Sequence, residues 1–529
     1  MSDSIRAAVD QTTAQFRELY IELCLREWDA ATTGTPEALQ AISEARAKWM
    51  RFWADPTPYQ QYKAWDDSGA AGSEAHLARI VHLLHLGFAQ GQRDPATIDE
   101  VTQLETALTD AYTNFRAEVE GQRLTANAID QILADENDSE KRREAWEASK
   151  QIGPRVADQI RRLAELRNEA AWRMGYPNFH RMSLTLNELD PDWLYSLLDE
   201  LARKTEEPFR RAKAELDAEL SQRFGVPAEE LMPWHYAEPF FQRAPMTSAL
   251  NYDTLFAGRD LVQLALQTYD GLGMEVRPIL DRSDLFEREG KDQHAFCTHI
   301  DREGDVRILC NLKPTLRWME TLLHELGHAA YDAYIPKNLH WVLRSFPHIL
   351  TTEAMAMLMG ALTLDPEWHQ QMLGASPQDA AHIGDISARR FRLEELIFAR
   401  WVMVVVNFER LMYEDPSRDL NRLWWELVEK YQLLKKPEGR ETMPDWATKY
   451  HIALAPAYYQ NYLLGRMMSL QWTDWLQRNV GGIVGRPAAG EFFRERIFAP
   501  GSTLHWNDAL EHATGEKLNP DYFVRKFAQ

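Results

Sequence analysis

The chain has 529 residues, of which 45% are hydrophobic and 26% are charged, a composition typical of a soluble globular protein. Its formal net charge of −21 argues against nucleic acid or an anionic membrane surface as a partner, because phosphate groups would be repelled. The three cysteines give no disulfide framework, and the N-terminal residues lack the basic start and apolar run of a secretory signal. The most apolar run, residues 401–408, is too short to cross a bilayer, so we expect a cytoplasmic protein.

Along almost the whole chain, hydrophobic residues recur with a spacing near 3.6, which predicts helices rather than strands. We predict long amphipathic helices at residues 4–29, 35–55, 139–174, 190–224 and 383–414. A further helix should begin at Pro314-Thr315 and stop at Pro336. Residues 295–311 are the one good strand candidate and predict a hairpin around a Glu303-Gly304-Asp305 turn. The simplest architecture is a single, almost all-helical unit over residues 1–529, folded as two intertwined lobes.

A His-Glu-Leu-Gly-His run occupies residues 324–328, inside the predicted helix. His324 and His328 project from one helix face, about 40° apart around the axis, so their imidazole nitrogens can share one tetrahedral zinc ion. Glu325 is placed to accept a proton from a water molecule that the metal activates. Taken alone, the run also fits an ordinary buried helix with two hydrogen-bonded histidines.

Glu353 is the candidate for a third ligand, 25 residues after His328 in a strongly apolar helix. An unpaired carboxylate there would cost several kcal/mol, so it requires a cation as partner. A zinc ion held by His324 and His328 provides one, and Arg389 or Arg390 is the alternative. We favour the metal, with one ion per chain.

At this point the chain resembles the angiotensin-converting enzyme family of zinc peptidases and, more distantly, the oligoendopeptidase and thimet oligopeptidase family. Both families combine the His-Glu-x-x-His run with a glutamate about 25 residues later. The resemblance implies an almost all-helical fold with a deep central cleft between two lobes. Segments with the family's pattern occur in family order at residues 145–147, 153–154, 168–170, 175–176 and 424–432.

The most specific resemblance lies in residues 449–462, where a Lys-Tyr-His-Ile run precedes a Tyr-x-x-Tyr pair. The spacing between the two is one residue longer than in the family. The resemblance implies that Lys449 and Tyr459 hold the substrate's C-terminal carboxylate. It also implies that His451 and Tyr462 donate hydrogen bonds to the substrate and to the tetrahedral oxyanion, a contribution typically worth roughly 3–4 kcal/mol.

Other positions extend the resemblance or depart from it. His294-Ala295 matches the family's His-Ala edge, which implies hydrogen bonds to the peptide backbone. The family often has a glutamine that completes the carboxylate clamp, and Tyr236 is expected in its place. Met357 replaces an aspartate that usually orients the first histidine, with Asp332 as the candidate substitute.

These observations predict a zinc peptidase that hydrolyses short peptides and releases C-terminal dipeptides, with Glu325 as the general base. An oligoendopeptidase that cuts inside short peptides is the alternative enzyme. A catalytically silent peptide-binding protein would not need Glu325, and a purely structural scaffold leaves Glu353 unexplained.

Overall fold

The computed structural model describes residues 2–92, 94, 96–245 and 252–528. These residues are mostly helical, which confirms the predicted all-α class. Within these ranges, no helix combines the length and the apolar character needed to span a membrane. The helices up to residue 245 are α1 (Ser2–Thr33), α2 (Pro36–Trp53), α3 (Pro56–Asp67), α4 (Ala75–Gly91), α5 (Ile98–Asn114), α6 (Ala126–Asp135), α7 (Ser139–Ser149), α8 (Gly153–Arg173), α9 (Phe179–Leu186) and α10 (Pro191–Phe224). The helices after residue 252 are α11 (Leu261–Gly271), α12 (Arg277–Leu280), α13 (Leu316–Tyr334), α14 (Ile349–Ala361), α15 (Pro366–Leu373), α16 (Pro377–Glu414), α17 (Leu420–Gln432), α18 (Tyr450–Leu454), α19 (Gln460–Asn479), α20 (Pro487–Phe492), α21 (Trp506–Thr514) and α22 (Asp521–Phe527).

Capping residues explain where the predicted helices begin and end. The side chain of Thr35 accepts a hydrogen bond from the backbone of Ala38 at the start of α2. Helix α10 begins after the capping residue Asp190 and ends at Gly225, whose φ of 68° suits glycine. The prediction of one helix over residues 139–174 is wrong, because the chain forms α7 and α8 instead. Pro154 lies in the first turn of α8. Proline is tolerated in the first turn of a helix but interrupts a helix at an interior position, so one continuous helix cannot pass through it.

Two antiparallel hairpins provide the strands of the described residues. The predicted hairpin is confirmed as β3 (Phe296–His299) and β4 (Val306–Leu309), with Phe296 paired to Leu309. A second hairpin, β1 (Ala117–Val119) and β2 (Gln122–Leu124), was not predicted. Its strands have only three residues each, and its turn is a Glu120-Gly121 pair with φ of 48° and 79°.

The chain divides into two compact units. The first unit comprises residues 1–92, 250–387 and 464–522, and the second comprises residues 93–249, 388–463 and 523–529. In the core of the first unit, the Phe16 ring packs edge-on against Trp53 at 4.9 Å and against Trp341 at 5.0 Å. In the core of the second unit, Phe408 packs against Trp424 at 5.3 Å. Each unit therefore has its own aromatic core.

Candidate functional site

Helix α13 carries the His-Glu-Leu-Gly-His run and lies in the first unit. Its start is fixed by Thr315, whose hydroxyl accepts a hydrogen bond from the backbone nitrogen of Trp318. Leu322 and Leu326 are fully buried and hold the helix in the core of this unit. The helical period then places His324 and His328 on one face, with ring centroids 5.0 Å apart.

Helix α14 packs closely against α13, and glycine makes this possible. A Cβ atom at Gly327 would lie 2.7 Å from the Cα of Ala356, so a larger residue would force the two helices apart. One turn from this contact, α14 presents Glu353 to α13. Its Oε2 lies 3.8 Å from Nε2 of His324. The close approach of the helices therefore brings the carboxylate to the histidine pair.

His324, His328 and Glu353 form a group that could hold a metal ion. Each offers one ligand atom, and these atoms all lie within 4.8 Å of one another. Two imidazoles and a carboxylate leave a fourth position open in a tetrahedral arrangement, which is the pattern of a catalytic metal site. Among the described residues, no other group of at least three such side chains meets this test.

The electrostatics of this group favour a bound cation. Burial lowers the pKa of His324 to about 4 and that of His328 to about 3, so both imidazoles are neutral and available as ligands. Burial raises the pKa of Glu353 to about 7. Burial and the neighbouring Glu353 raise the pKa of Glu325 to about 8. A metal ion would stabilise the ionised form of both carboxylates, so the donor set fits a divalent metal.

His328 is oriented by a residue that the sequence did not indicate. Its Nδ1 lies 2.7 Å from the hydroxyl oxygen of Thr352, which directly precedes Glu353. Asp332, the predicted substitute for the family's orienting aspartate, lies 3.9 Å from Nδ1 of His299 instead. The prediction for Asp332 is therefore corrected: its carboxylate lies against His299 of the hairpin, and Thr352 contacts His328, the second candidate metal ligand.

The hairpin lies next to this group, since β3 and β4 both pack against α13. The other edge of β4 is covered, because the backbone nitrogen of Asp284 donates to Ile308 O at 2.9 Å. In the residues that the structure describes, β3 pairs only with β4 and is the outer strand of this sheet. His294 is exposed and Ala295 is half-buried at the start of β3. Both residues that are predicted to bind the peptide backbone therefore directly precede the outer strand β3.

In the second unit, Lys449 and Tyr459 converge on one acceptor. The Nζ of Lys449 donates to Oε1 of Gln242 at 3.0 Å, and the hydroxyl of Tyr459 donates to the same oxygen at 3.1 Å. Tyr236, predicted to replace the family's glutamine, is buried elsewhere and donates to Asp217 at 2.7 Å. Gln242 therefore completes this group, six residues after the position that the sequence suggested.

Aromatic rings surround the Lys449 ammonium group. Its Nζ lies 5.1 Å from the ring centroid of Phe240, 5.4 Å from Trp401 and 5.3 Å from Tyr459. Only 7% of the Lys449 residue is exposed, and burial lowers its pKa to about 8. An incoming carboxylate would interact more strongly here than with an exposed lysine, because water screens the charges less.

Side chains from two helices fix the backbone around Lys449 and His451. The Tyr112 hydroxyl of α5 donates to Ala447 O at 2.6 Å. Arg167 of α8 donates to Ala453 O at 2.9 Å. These bonds hold the segment on both sides of Lys449 and His451, the two side chains that are predicted to bind the substrate.

The segment between His451 and Tyr459, which is one residue longer than in the family, contains a residue with a left-handed backbone conformation. Ala457 has a φ of 56°, and its backbone nitrogen donates to Oε1 of the buried Glu409 at 3.1 Å. A non-glycine residue in this conformation costs roughly 1–2 kcal/mol, so the surrounding contacts must hold it. We interpret this turn as the place where the longer spacing between His451 and Tyr459 is accommodated.

His451 and Tyr462 lie in the same aromatic cluster as Tyr459. The His451 ring lies 4.8 Å from Tyr459, and the Tyr462 ring lies 5.7 Å from Tyr459. Burial and the nearby Lys449 lower the pKa of His451 to about 3, so its ring is neutral and can donate one hydrogen bond. Tyr458 is half-buried.

Comparison with known proteins agrees with these features. Residues 2–233 match the family described as Angiotensin-converting enzyme, and residues 281–529 match Peptidase family M3. Thermostable carboxypeptidase 1 of Thermus thermophilus is 27% identical over 262 residues, which cover 40% of this chain and 46% of that protein. Angiotensin-converting enzyme of Rattus norvegicus is 26% identical over 236 residues, 42% of this chain and 18% of that protein.

The aligned regions thus span less than half of either relative. The family resemblance drawn from the sequence is nevertheless confirmed, because the two family matches together cover both ends of the chain and include the metal-binding group. The N-terminal part of the chain is thus similar to the angiotensin-converting enzyme family, and the part that carries the metal-binding group is similar to Peptidase family M3.

Proposed function

We propose that the protein is a zinc-dependent peptidase that releases dipeptides from the C-terminus of short peptides. The observation that carries the proposal is the convergence of His324, His328 and Glu353, with the buried Glu325 next to His324 in sequence. Two imidazoles and one carboxylate suit zinc, one ion per chain. When bound there, zinc would supply Lewis acidity to the scissile carbonyl group and to a water molecule.

Glu325 acts as the proton carrier in this proposal. It accepts a proton from the attacking water and later gives it to the leaving amine, so the carboxylate is regenerated in each turnover. Its raised pKa of about 8 in the metal-free protein reflects burial and the nearby Glu353, and a bound cation would lower it. A bound cation would thus favour the ionised carboxylate, the form that accepts the proton from water.

The remaining predicted residues bind and orient the peptide. His451 and Tyr462 donate hydrogen bonds to the substrate and to the developing oxyanion. Lys449 and Tyr459 hold the terminal carboxylate, which would set the cleavage point at a fixed distance from the C-terminus. The backbone at His294-Ala295 adds hydrogen bonds along an outer strand. The buried, charged Lys449 supports this carboxylate-anchored mode.

An oligoendopeptidase is the second candidate function. The match to Peptidase family M3 covers residues 281–529 and contains the whole metal-binding group, which favours this alternative. Such an enzyme would cut inside short peptides and would not require a free C-terminus. A silent binding protein is disfavoured, because binding alone does not need Glu325. The cytoplasmic location and the cleft between two lobes remain predictions.

Mass spectrometry of a digested short peptide tests the proposal. The purified protein is given the peptide as free acid and as C-terminal amide, with and without a chelator. Stepwise loss of dipeptides from the free acid, resistance of the amide and inhibition by the chelator are expected. Internal cleavage of both forms would favour the oligoendopeptidase, and chelator-resistant cleavage would refute a metal-dependent reaction.

A further inference from the structure

The side chain of Lys291, three residues before His294, is completely buried. Its Nζ donates to Asp284 Oδ1 at 2.8 Å, to Asp284 O at 3.0 Å, to Phe286 O at 2.8 Å and to Cys310 O. An ammonium group has three donors, and these acceptors engage all of them within the protein. A buried charge is costly unless it is hydrogen-bonded in this way, so the arrangement fixes one conformation of the chain around Lys291.

The acceptors of Lys291 lie at the end of β4. Residues 284–285 run along the edge of β4 that faces away from β3. Cys310 directly follows β4, and the register of the hairpin puts it opposite Ala295. Lys291 therefore joins the chain that leads into β3 to the end of β4, at the level of Ala295.

Asp292 holds the same stretch of chain by three further hydrogen bonds. Its Oδ1 accepts from the backbone nitrogen of His294 at 2.9 Å, and its carbonyl oxygen accepts from Nδ2 of Asn311 at 2.9 Å. Its own backbone nitrogen donates to Ala31 O at 2.8 Å, in the last turn of α1. Asp292 therefore ties the His294 backbone to the residues after β4 and to the first helix.

The end of α1 provides a firm support for this segment. Nη2 of Arg288 donates to Thr32 O at 2.7 Å. The last carbonyl groups of a helix have no partner within the helix, so these bonds satisfy α1 and fix the segment at the same time. A Cβ atom at Gly34 would collide with Gly290 O, which shows how closely the two stretches of chain approach.

His294 and Ala295 depend on these contacts for their position. The pairing of β3 with β4 begins at Phe296, so the strand ladder does not hold the two residues before it. Backbone groups that are already in place bind a peptide more tightly, because less conformational freedom is lost on binding.

We propose that Lys291 and Asp292 are positioning residues that hold the backbone of His294 and Ala295 ready to pair with a peptide backbone. Both act through His294 and Ala295 rather than by contact with the peptide. Because backbone groups make the contact, recognition at this edge does not depend on the peptide's side chains. The inference rests on the proposed function, in which the backbone at His294-Ala295 binds the substrate.

Steady-state kinetics on a short peptide and on its ester analogues test this role. In each analogue an oxygen replaces one backbone N–H outside the scissile bond. The KM of the wild type should rise about three- to tenfold on at least one analogue, as expected for the loss of one hydrogen bond. Lys291→Met keeps an unbranched side chain without the ammonium group. It should bind the unmodified peptide with a higher KM, at nearly unchanged kcat and zinc content, and its KM for that analogue should differ from this by less than about twofold.

Asp292→Ala is a second variant that keeps the inference testable if Lys291→Met does not fold. Asp292 is exposed, so its replacement leaves the core intact, but it removes the acceptor of the His294 N–H. The same loss of discrimination between peptide and ester analogue is expected. A general loss of stability would not change the ratio of the two KM values.

Phe286→Ala is the matched control in the same segment. Phe286 is 63% exposed, and its carbonyl group, which accepts from Lys291, is still present in the variant. The ratio of the KM values should stay that of the wild type, and an equal loss of discrimination here would overturn the inference. If the wild type itself binds peptide and all ester analogues equally well, the peptide-binding edge of the proposed function fails and the inference fails with it. If the wild type discriminates and neither Lys291→Met nor Asp292→Ala changes that, only the inference fails.

Discussion

The hydroxyl oxygen of Thr352 lies 2.7 Å from Nδ1 of His328, so one turn of α14 supplies both a candidate metal ligand, Glu353, and the group that orients another. A neutral imidazole carries one N–H. When Nδ1 donates that hydrogen to Thr352, Nε2 is left with its lone pair and can bind a metal. The contact is thus compatible with the tautomer that binds a metal through Nε2.

Replacing Thr352 with valine should weaken metal binding, because valine has nearly the same shape but cannot form the hydrogen bond to His328. We expect about a 10- to 100-fold loss of zinc affinity, measured by competition with a chromophoric chelator. Thr352→Ser should keep most of the affinity. Thr351→Val is the matched control, since the Thr351 hydroxyl donates to His348 O and not to a ligand. Equal losses in Thr351→Val and Thr352→Val would refute the orienting role.

Gly327→Ala should disturb the contact between α13 and α14. The added Cβ would lie 2.7 Å from the Cα of Ala356, which is backbone and cannot move aside alone. We expect a loss of about 1–3 kcal/mol in the free energy of unfolding, together with weaker zinc binding. Gly360→Ala is the control on the same pair of helices, because its nearest neighbour is Glu320 O at 3.4 Å. Similar stability of the two variants in urea denaturation would contradict the packing argument.

Glu409 should make the folded protein less stable as the pH rises. Burial raises its pKa from 4.5 to about 8, so the folded state binds this proton more tightly than the unfolded state. Its contribution is fully present below about pH 4.5 and is lost as the pH rises to about 8, at about 1.4 kcal/mol per unit of pKa difference. Glu409→Gln should lack this part of the pH dependence. Urea denaturation at about pH 5, 7 and 9 checks it, and a stability difference between the two proteins that stays constant with pH would count against it.

Glycine at position 457 should stabilise the turn before Tyr459. Ala457 has a φ of 56°, and glycine adopts this conformation without the steric cost of a Cβ atom. We expect Ala457→Gly to gain about 1 kcal/mol of unfolding free energy. Ala455→Gly is the contrast in the same segment, because Ala455 has a φ of −137° and should lose stability. A melting temperature lowered in both variants would argue against strain at position 457.

Local patterns sufficed to predict the elements of the site but not all of its contacts. Pro314-Thr315 and Pro336 bound the helix that carries the histidines, because capping and proline geometry act within one turn. Gln242 lies 207 residues before Lys449, so only the folded chain reveals their hydrogen bond. Thr352 is adjacent to Glu353 in sequence. A threonine in a helix more often forms a hydrogen bond with its own backbone, so the residue type did not predict the contact with His328. The break between α7 and α8 could have been predicted from Gly153-Pro154.

Metal content and turnover of Glu325→Gln, measured side by side, test whether Glu325 carries the proton at a zinc site. Glutamine keeps the size of the side chain but cannot accept and return a proton. We predict about one zinc ion per chain in both wild type and Glu325→Gln, with peptide cleavage only in the wild type. His324→Ala should lose the metal and the activity together. Cleavage by Glu325→Gln would contradict its role as proton carrier, and cleavage by a wild-type sample freed of metal would contradict the zinc-dependent reaction.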